Sequence, residues 1–340
     1  MAMAEFLGRQ LYEEGKSGPV DLIPLLRLML IPIMSGFVGI DDMDNAQRSA
    51  RLRQLIEHFN AGSSLLQYAT TDRDALVRAA LDAIDTYTTE FFESSRQRRA
   101  RLVERVRAGE LSESDLPRDV LTRQLLDTNA LWDEPTAIRD SMILLTGGLH
   151  TTAVATAQVL DAYYGWRERS ENDVDDIELM HAVVNETLRV FPIVEFVPRC
   201  AKEDTILNSG KEIAAGTHLV VNIFLANRDP AAFGADADTY RPGRYRELTT
   251  SVQHYGLAFG AGPHLCIGKP LVALGRADAQ EMSVPRIIVK VVSWLLRAGI
   301  HPAPQQEPDQ EQTYRRMLAS YPVQVPQGAP AGASAIPRSD

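Results

Sequence analysis

Residues Phe259 to Gly268 read F-G-A-G-P-H-L-C-I-G, a glycine-rich loop that delivers one cysteine, Cys266, to what reads as the start of a helix. Gly260 and Gly262 permit backbone angles closed to residues with a side chain, so such a loop can fold close under a flat ligand. Pro270 is tolerated in the first turn of the L-V-A-L helix that follows. A cysteine so placed meets free backbone N–H groups and the positive end of a helix, and both favour the thiolate. Such a thiolate suits a haem iron. Taken alone, a lone cysteine is more often a small buried hydrophobe.

Composition narrows the remaining choices. A chain of 340 residues with 45% hydrophobic content can bury a sizeable core. Its formal charge of −10 and the absence of a dense basic cluster argue against nucleic acid as a partner. With two cysteines, Cys200 and Cys266, there is no disulfide framework, and a reducing cytoplasm is the expected compartment. The stretch open to confusion with a membrane span, Val20 to Ile40, carries Asp21 and Arg27 and is interrupted by Pro24 and Pro32. It reads as one or two buried helices, and neither a membrane anchor nor a signal peptide is expected.

Apolar spacing predicts helices over Met1–Gly15, Ala50–Phe59, Asp74–Phe92 and Asp175–Phe191, with the charged run Ser94–Arg107 as a solvated helix. Asp140–Trp166 is a long apolar helix interrupted by Gly147 and Gly148, each costing about 1 kcal/mol relative to alanine, so packing or function must account for them. His218–Leu225 suits a buried strand or short helix, Ile287–Leu296 is a further apolar segment, and Tyr321–Pro326 reads as a closing strand. Gln327–Asp340, rich in proline, alanine, glycine and serine, is expected to be a disordered tail behind a single domain over residues 1–326.

The spacing of Phe259, Gly262, Cys266 and Gly268 fits F-x-x-G-x-x-x-C-x-G, with His264 two residues before the cysteine. Three further segments stand in a matching order: Gly147-Gly148-Leu149-His150-Thr151-Thr152, Glu186-Thr187-Leu188-Arg189, and Pro242-Gly243-Arg244. On these residues the chain resembles the cytochrome P-450 family of haem-thiolate monooxygenases. The resemblance implies a mainly α fold with a small β portion and haem b as cofactor.

It also implies residue roles. Cys266 would ligate the iron, within a loop formed by Phe259, Gly260 and Gly268. Glu186, Arg189 and Arg244 would form a buried charge-paired triad behind that loop; without the resemblance, the E-x-x-R pair would read as a surface ion pair of small value. Arg199, in Val197-Pro198-Arg199, would pair with one haem propionate and His264 with the other. Arg199 alone reads equally as an edge-strand charge. Thr151 would help handle protons and oxygen. His150 stands where the family commonly has an acid, and would relay protons near neutral pH or simply pack in the core.

The resemblance enters late. Counterparts of the family's first helices, most of its first sheet and its propionate-gripping helix are missing, so the expectation is an N-terminally truncated P-450 fold. Gly275 and the charged run Arg276–Glu281 are further departures. With no flavin or nicotinamide fingerprint, electrons would come from separate ferredoxin- and reductase-type proteins, or peroxide would replace them. The expected substrate is a hydrophobic small molecule. Competing readings are a peroxide-driven or redox-neutral haem enzyme, a non-catalytic remnant without haem, and a zinc site built on His264 and Cys266, for which a second ligand pair is wanting.

Overall fold

A computed structural model describes residues 2–63, 72–127, 133–246, 252–273, 286–310 and 318–326. The expected tail Gln327–Asp340 and the departures at Gly275 and Arg276–Glu281 lie outside the described residues. The chain begins with α1 (Ala2–Gly15) and a short strand, β1 (Val20–Asp21), whose Asp21 carboxylate caps α2 (Leu22–Val38) by accepting from the Ile23 N–H at 3.1 Å. Pro24 falls in the first turn of α2, where it costs little, and the helix runs through Pro32 instead of ending there. Leu30, Ile31, Met34 and Val38, all buried, hold the two sides of Pro32 in one helix.

Next come α3 (Ala46–Ser63), α4 (Arg73–Tyr87) and α5 (Glu93–Arg107). The last two are continuous through a π-helical turn, Thr88–Phe92. That extra residue per turn turns Phe91 and Phe92 into the core beside Tyr87. After α6 (Val120–Leu126) comes the long α7 (Glu134–Gly165). Its length and apolarity match those of a membrane-crossing helix, which the sequence reading had allowed only for Val20–Ile40; 67% of its most apolar window is buried within the protein. α8 (Ile177–Val190) follows, then the antiparallel hairpin β2 (Phe196–Cys200), β3 (Thr205–Ile206), β4 (Glu212–Ile213) and β5 (His218–Asn222).

The segment read as strand or short helix is both, since β5 passes directly into α9 (Ile223–Ala226), with Asn222 as its cap. The chain continues through α10 (Pro230–Phe233), the cysteine loop, α11 (Lys269–Val272), α12 (Ile287–Arg297) and two closing strands, β6 (His301–Pro302) and β7 (Pro322–Gln324). β2 pairs with β5 from Phe196↔Asn222 to Cys200↔His218, β3 pairs with β4, and the third sheet has the order β1-β7-β6.

Two compact units result, one of residues 21–153 and one of 1–20 with 154–340. The first packs α2 to α6 with the N-terminal part of α7. Gly148 is explained there, because a Cβ at this position would fall 2.0 Å from Cε of Met34 on α2, itself buried. Gly147 faces open space and meets no such neighbour. Arg99 is the polar anchor of this unit, held by Asp119 at 2.7 Å and Asp41 at 2.8 Å. The other unit is centred on α8, buried along almost its whole length, with Ile288, Val292 and Leu295 of α12 in the same core. Its closing strand is tied down by Tyr321, whose hydroxyl donates to Asp161 of α7 at 3.1 Å.

Candidate functional site

The charge triad is assembled as the E-x-x-R spacing requires. Glu186 and Arg189 lie one turn apart on α8, and their side chains and that of Arg244 are fully buried. Arg189 donates from Nε to Glu186 Oε2 at 2.8 Å and from Nη2 to Oε1 at 2.7 Å, a forked pair. The same Oε1 accepts from Arg244 Nε at 3.4 Å and from the Arg241 N–H at 2.9 Å. Most of the remaining guanidinium protons go to backbone carbonyls: Arg189 reaches Asn227, Ala237 and Thr239, and Arg244 reaches Phe233, Asp236 and Thr239. Two buried cations thereby fold a segment, 227–244, that has few apolar side chains to hold itself together.

Asp236 belongs to this cluster and the sequence reading missed it. Its Oδ1 accepts from Arg244 Nη1 at 2.5 Å and its Oδ2 from Arg241 Nε at 2.9 Å. Burial works against its charge, yet the hydrogen bond from Arg244 and the two arginine charges hold the carboxyl below its ordinary range. A third arginine, Arg241, three residues after the Ala235-Asp236-Ala237-Asp238 stretch, carried no recognisable spacing, so only the fold reveals the partnership.

The cysteine loop is a closed turn. The Cys266 N–H donates to the Phe259 carbonyl at 2.8 Å, Gly260 N–H to Leu257 O at 2.8 Å, and Leu265 N–H to Gly262 O at 3.1 Å. Gly260 and Gly262 have φ of 70° and 65°, the left-handed region that favours glycine. Phe259 is fixed edge-on against the buried Tyr255, with ring centroids 4.9 Å apart. A Cβ at Gly268 would sit 3.6 Å from Cys266 Sγ, so this position borders the sulfur. The helix expected behind the cysteine is, among the described residues, the single turn α11.

Cys266 is exposed, and so are its neighbours Leu265 and Ile267, at 45% and 68%. A thiol between two outward apolar side chains on a glycine turn fits a flat, apolar, iron-bearing ring. Among the described residues no three His, Cys, Asp or Glu side chains cluster closely enough to hold a metal ion by themselves, so the zinc reading lacks its ligands. His264 is exposed in the short turn Gly262–His264. Arg199 is exposed on β2, opposite Leu219, with Nη1 on the Pro198 carbonyl at 2.9 Å.

His150 and Thr151 lie in the unit of residues 21–153, on α7. The Thr151 hydroxyl donates to the Gly147 carbonyl one turn back, which leaves its oxygen as an acceptor. His150 is buried, and its Nε2 has no hydrogen-bond partner among the described residues. Burial, with the charges of Arg27 on α2 and Arg53 on α3, pushes its pKa down to about 3. The imidazole is therefore neutral near pH 7. It can pass a proton only by accepting at one nitrogen and releasing at the other.

This burial has a thermodynamic consequence. The unfolded chain binds a proton at His150 below about pH 6.5 while the folded one does not until about pH 3. The stability that this site contributes is present above pH 6.5 and is lost as pH falls through that window. Between pH 7 and 5 the loss should be about 2 kcal/mol, and His150→Phe should remove that part of the slope in urea titrations. An unchanged slope would contradict it.

Comparison with known proteins gives a consistent result. A family profile described as Cytochrome P450 matches residues 160–274. Cytochrome P450 71D181 of Origanum vulgare is 32% identical over 154 residues, 44% of this chain and 30% of that protein. Premnaspirodiene oxygenase of Hyoscyamus muticus is 33% identical over 156 residues, 44% and 29% of the two. The chain thus spans about a third of the length of these curated relatives.

Among solved structures, CYP109E1 of Bacillus megaterium in complex with corticosterone superposes with a TM-score of 0.66 at 18% identity, over 94% of this chain and 76% of that one. Open cytochrome P450 EryK of S. erythraea gives 0.63 at 22%, over 98% and 77%. These two likenesses establish the fold. The profile match and the sequence relatives add that residues 160–274 are similar in sequence to cytochromes P450.

Proposed function

We propose that this chain is the haem-thiolate portion of a monooxygenase that inserts one oxygen atom of O2 into a hydrophobic small molecule. The observation that carries this reading is the cysteine turn, in which Cys266 stands exposed between two outward apolar side chains in the same unit as the fully buried triad. Haem, when bound, supplies the one-electron chemistry that activates oxygen, and thiolate ligation favours O–O cleavage. Cys266 would hold the iron, Leu265 and Ile267 would shield the ring from water, and Arg199 and His264 would pair with the propionates. Thr151 would position a proton through its hydroxyl.

Electrons would come from separate ferredoxin- and reductase-type proteins. A second reading, in which peroxide replaces oxygen and electrons, is favoured by His150: a histidine held neutral beside Thr151 offers no charged proton store. The two free cysteines fit a reducing compartment, and we assign the chain to the cytoplasm, with residues 1–326 as its haem-binding domain.

The test is an absorption titration of the purified 340-residue chain with haem. One equivalent should bind, giving a sharp Soret band, whereas no uptake by a chain with intact helical circular dichroism would overturn the reading. Product formation with peroxide alone, compared with oxygen and a reducing pair, separates the two versions.

A further inference from the structure

We infer that Asn227 is a positioning residue for Cys266, coupling the buried triad to the cysteine turn; this rests on the haem-thiolate reading above. Asn227 is fully buried and joins Arg189 on α8 to Leu257. Its backbone carbonyl accepts from Arg189 Nη1 at 2.7 Å, and its side-chain Nδ2 donates back to the Arg189 carbonyl at 3.1 Å. Its Oδ1 accepts from the Leu257 N–H at 2.7 Å, thirty residues away.

Leu257 in turn accepts from Gly260 at 2.8 Å, and Phe259 accepts from Cys266 at 2.8 Å. A chain of hydrogen bonds therefore runs from the backbone carbonyl of Arg189 on α8, through the Asn227 carboxamide, into the turn that closes on the cysteine. The approach is close: a Cβ at Gly256, whose φ is 60°, would lie 2.3 Å from Asn227 Oδ1. Only glycine before Leu257 lets the carboxamide reach that N–H.

The carboxamide fits this role because it is a donor and an acceptor at once. An alanine removes the carboxamide's bonds to the buried Arg189 carbonyl and to the part-buried Leu257 N–H. Aspartate keeps the acceptor for Leu257 and loses the donor to Arg189, so the two halves of the bridge can be tested apart.

The first measurement is amide hydrogen exchange on the haem-free chain. In the wild type, the Leu257 amide should be protected comparably to those of α8, and an unprotected Leu257 would overturn the inference without any variant. In Asn227→Ala, exchange at Leu257, Gly260 and Cys266 should speed up by about tenfold or more while α1 and α12 stay unchanged. Asn227→Asp should restore protection at those three amides. After haem loading, the reduced carbon monoxide complex of Asn227→Ala should lose part of its red-shifted thiolate Soret band, and Asn227→Asp should recover it. Equal exchange and equal spectra for alanine and wild type would overturn the inference. Absence of the thiolate band in the wild type would instead count against the haem-thiolate reading, with the exchange result still deciding the hydrogen-bond chain.

Discussion

Arg189→Met should cost about 3–5 kcal/mol of stability, because it leaves the Glu186 carboxylate buried with its forked partner gone. The carbonyls of Asn227, Ala237 and Thr239 lose a donor at the same time. Folded domains hold only about 5–15 kcal/mol in total, so the unit containing α8 would lie close to unfolding at ambient temperature. Urea titration followed by circular dichroism should show a transition moved to much lower denaturant. Glu186→Gln keeps the shape and should cost less, since two buried arginines then share a neutral acceptor with Asp236 still present. A variant of Arg189 with wild-type stability would show that the triad is a passive feature of the core.

Cys266→Ser is the second large effect, and it is of a different kind. Cys266 is exposed and supports no core contact, so stability should move by no more than about 0.5 kcal/mol. Ligation should change completely: an alcohol is a far weaker ligand than a thiolate, and the electron donation that favours O–O cleavage disappears. Haem loaded onto Cys266→Ser should lack the thiolate spectrum, with unchanged helical circular dichroism. Retention of that spectrum would point to Cys200 or to adventitious ligation, which Cys200→Ser separates.

The sequence made the cysteine turn and the helical ion pair legible for a physical reason. Cys266 follows two glycines, Gly260 and Gly262, whose positive φ favours glycine, and Glu186 and Arg189 share one face of a helix by spacing alone. Arg244 was reachable only through the family pattern. Asp236 and Asn227 were not legible as partners, because the Asn227 carboxamide meets the backbone of distant residues and the Asp236 carboxylate meets arginines that stand at no helical spacing from it.

Other differences trace to burial. The two glycines in α7 look alike in sequence, but Gly148 faces Met34 and Gly147 faces open space. His150 has an ordinary titration range in a free chain, and only its surroundings of buried apolar groups and arginines hold it neutral. The π-helical turn Thr88–Phe92 reads as plain helix because one inserted residue leaves the apolar spacing nearly intact.

The most direct measurement is the absorption spectrum of the haem-loaded chain, reduced and exposed to carbon monoxide. A red-shifted Soret band of the thiolate–iron type, lost in Cys266→Ser, is the expected result. A spectrum without that band, in a chain that binds haem and keeps its helical circular dichroism, would contradict ligation by Cys266.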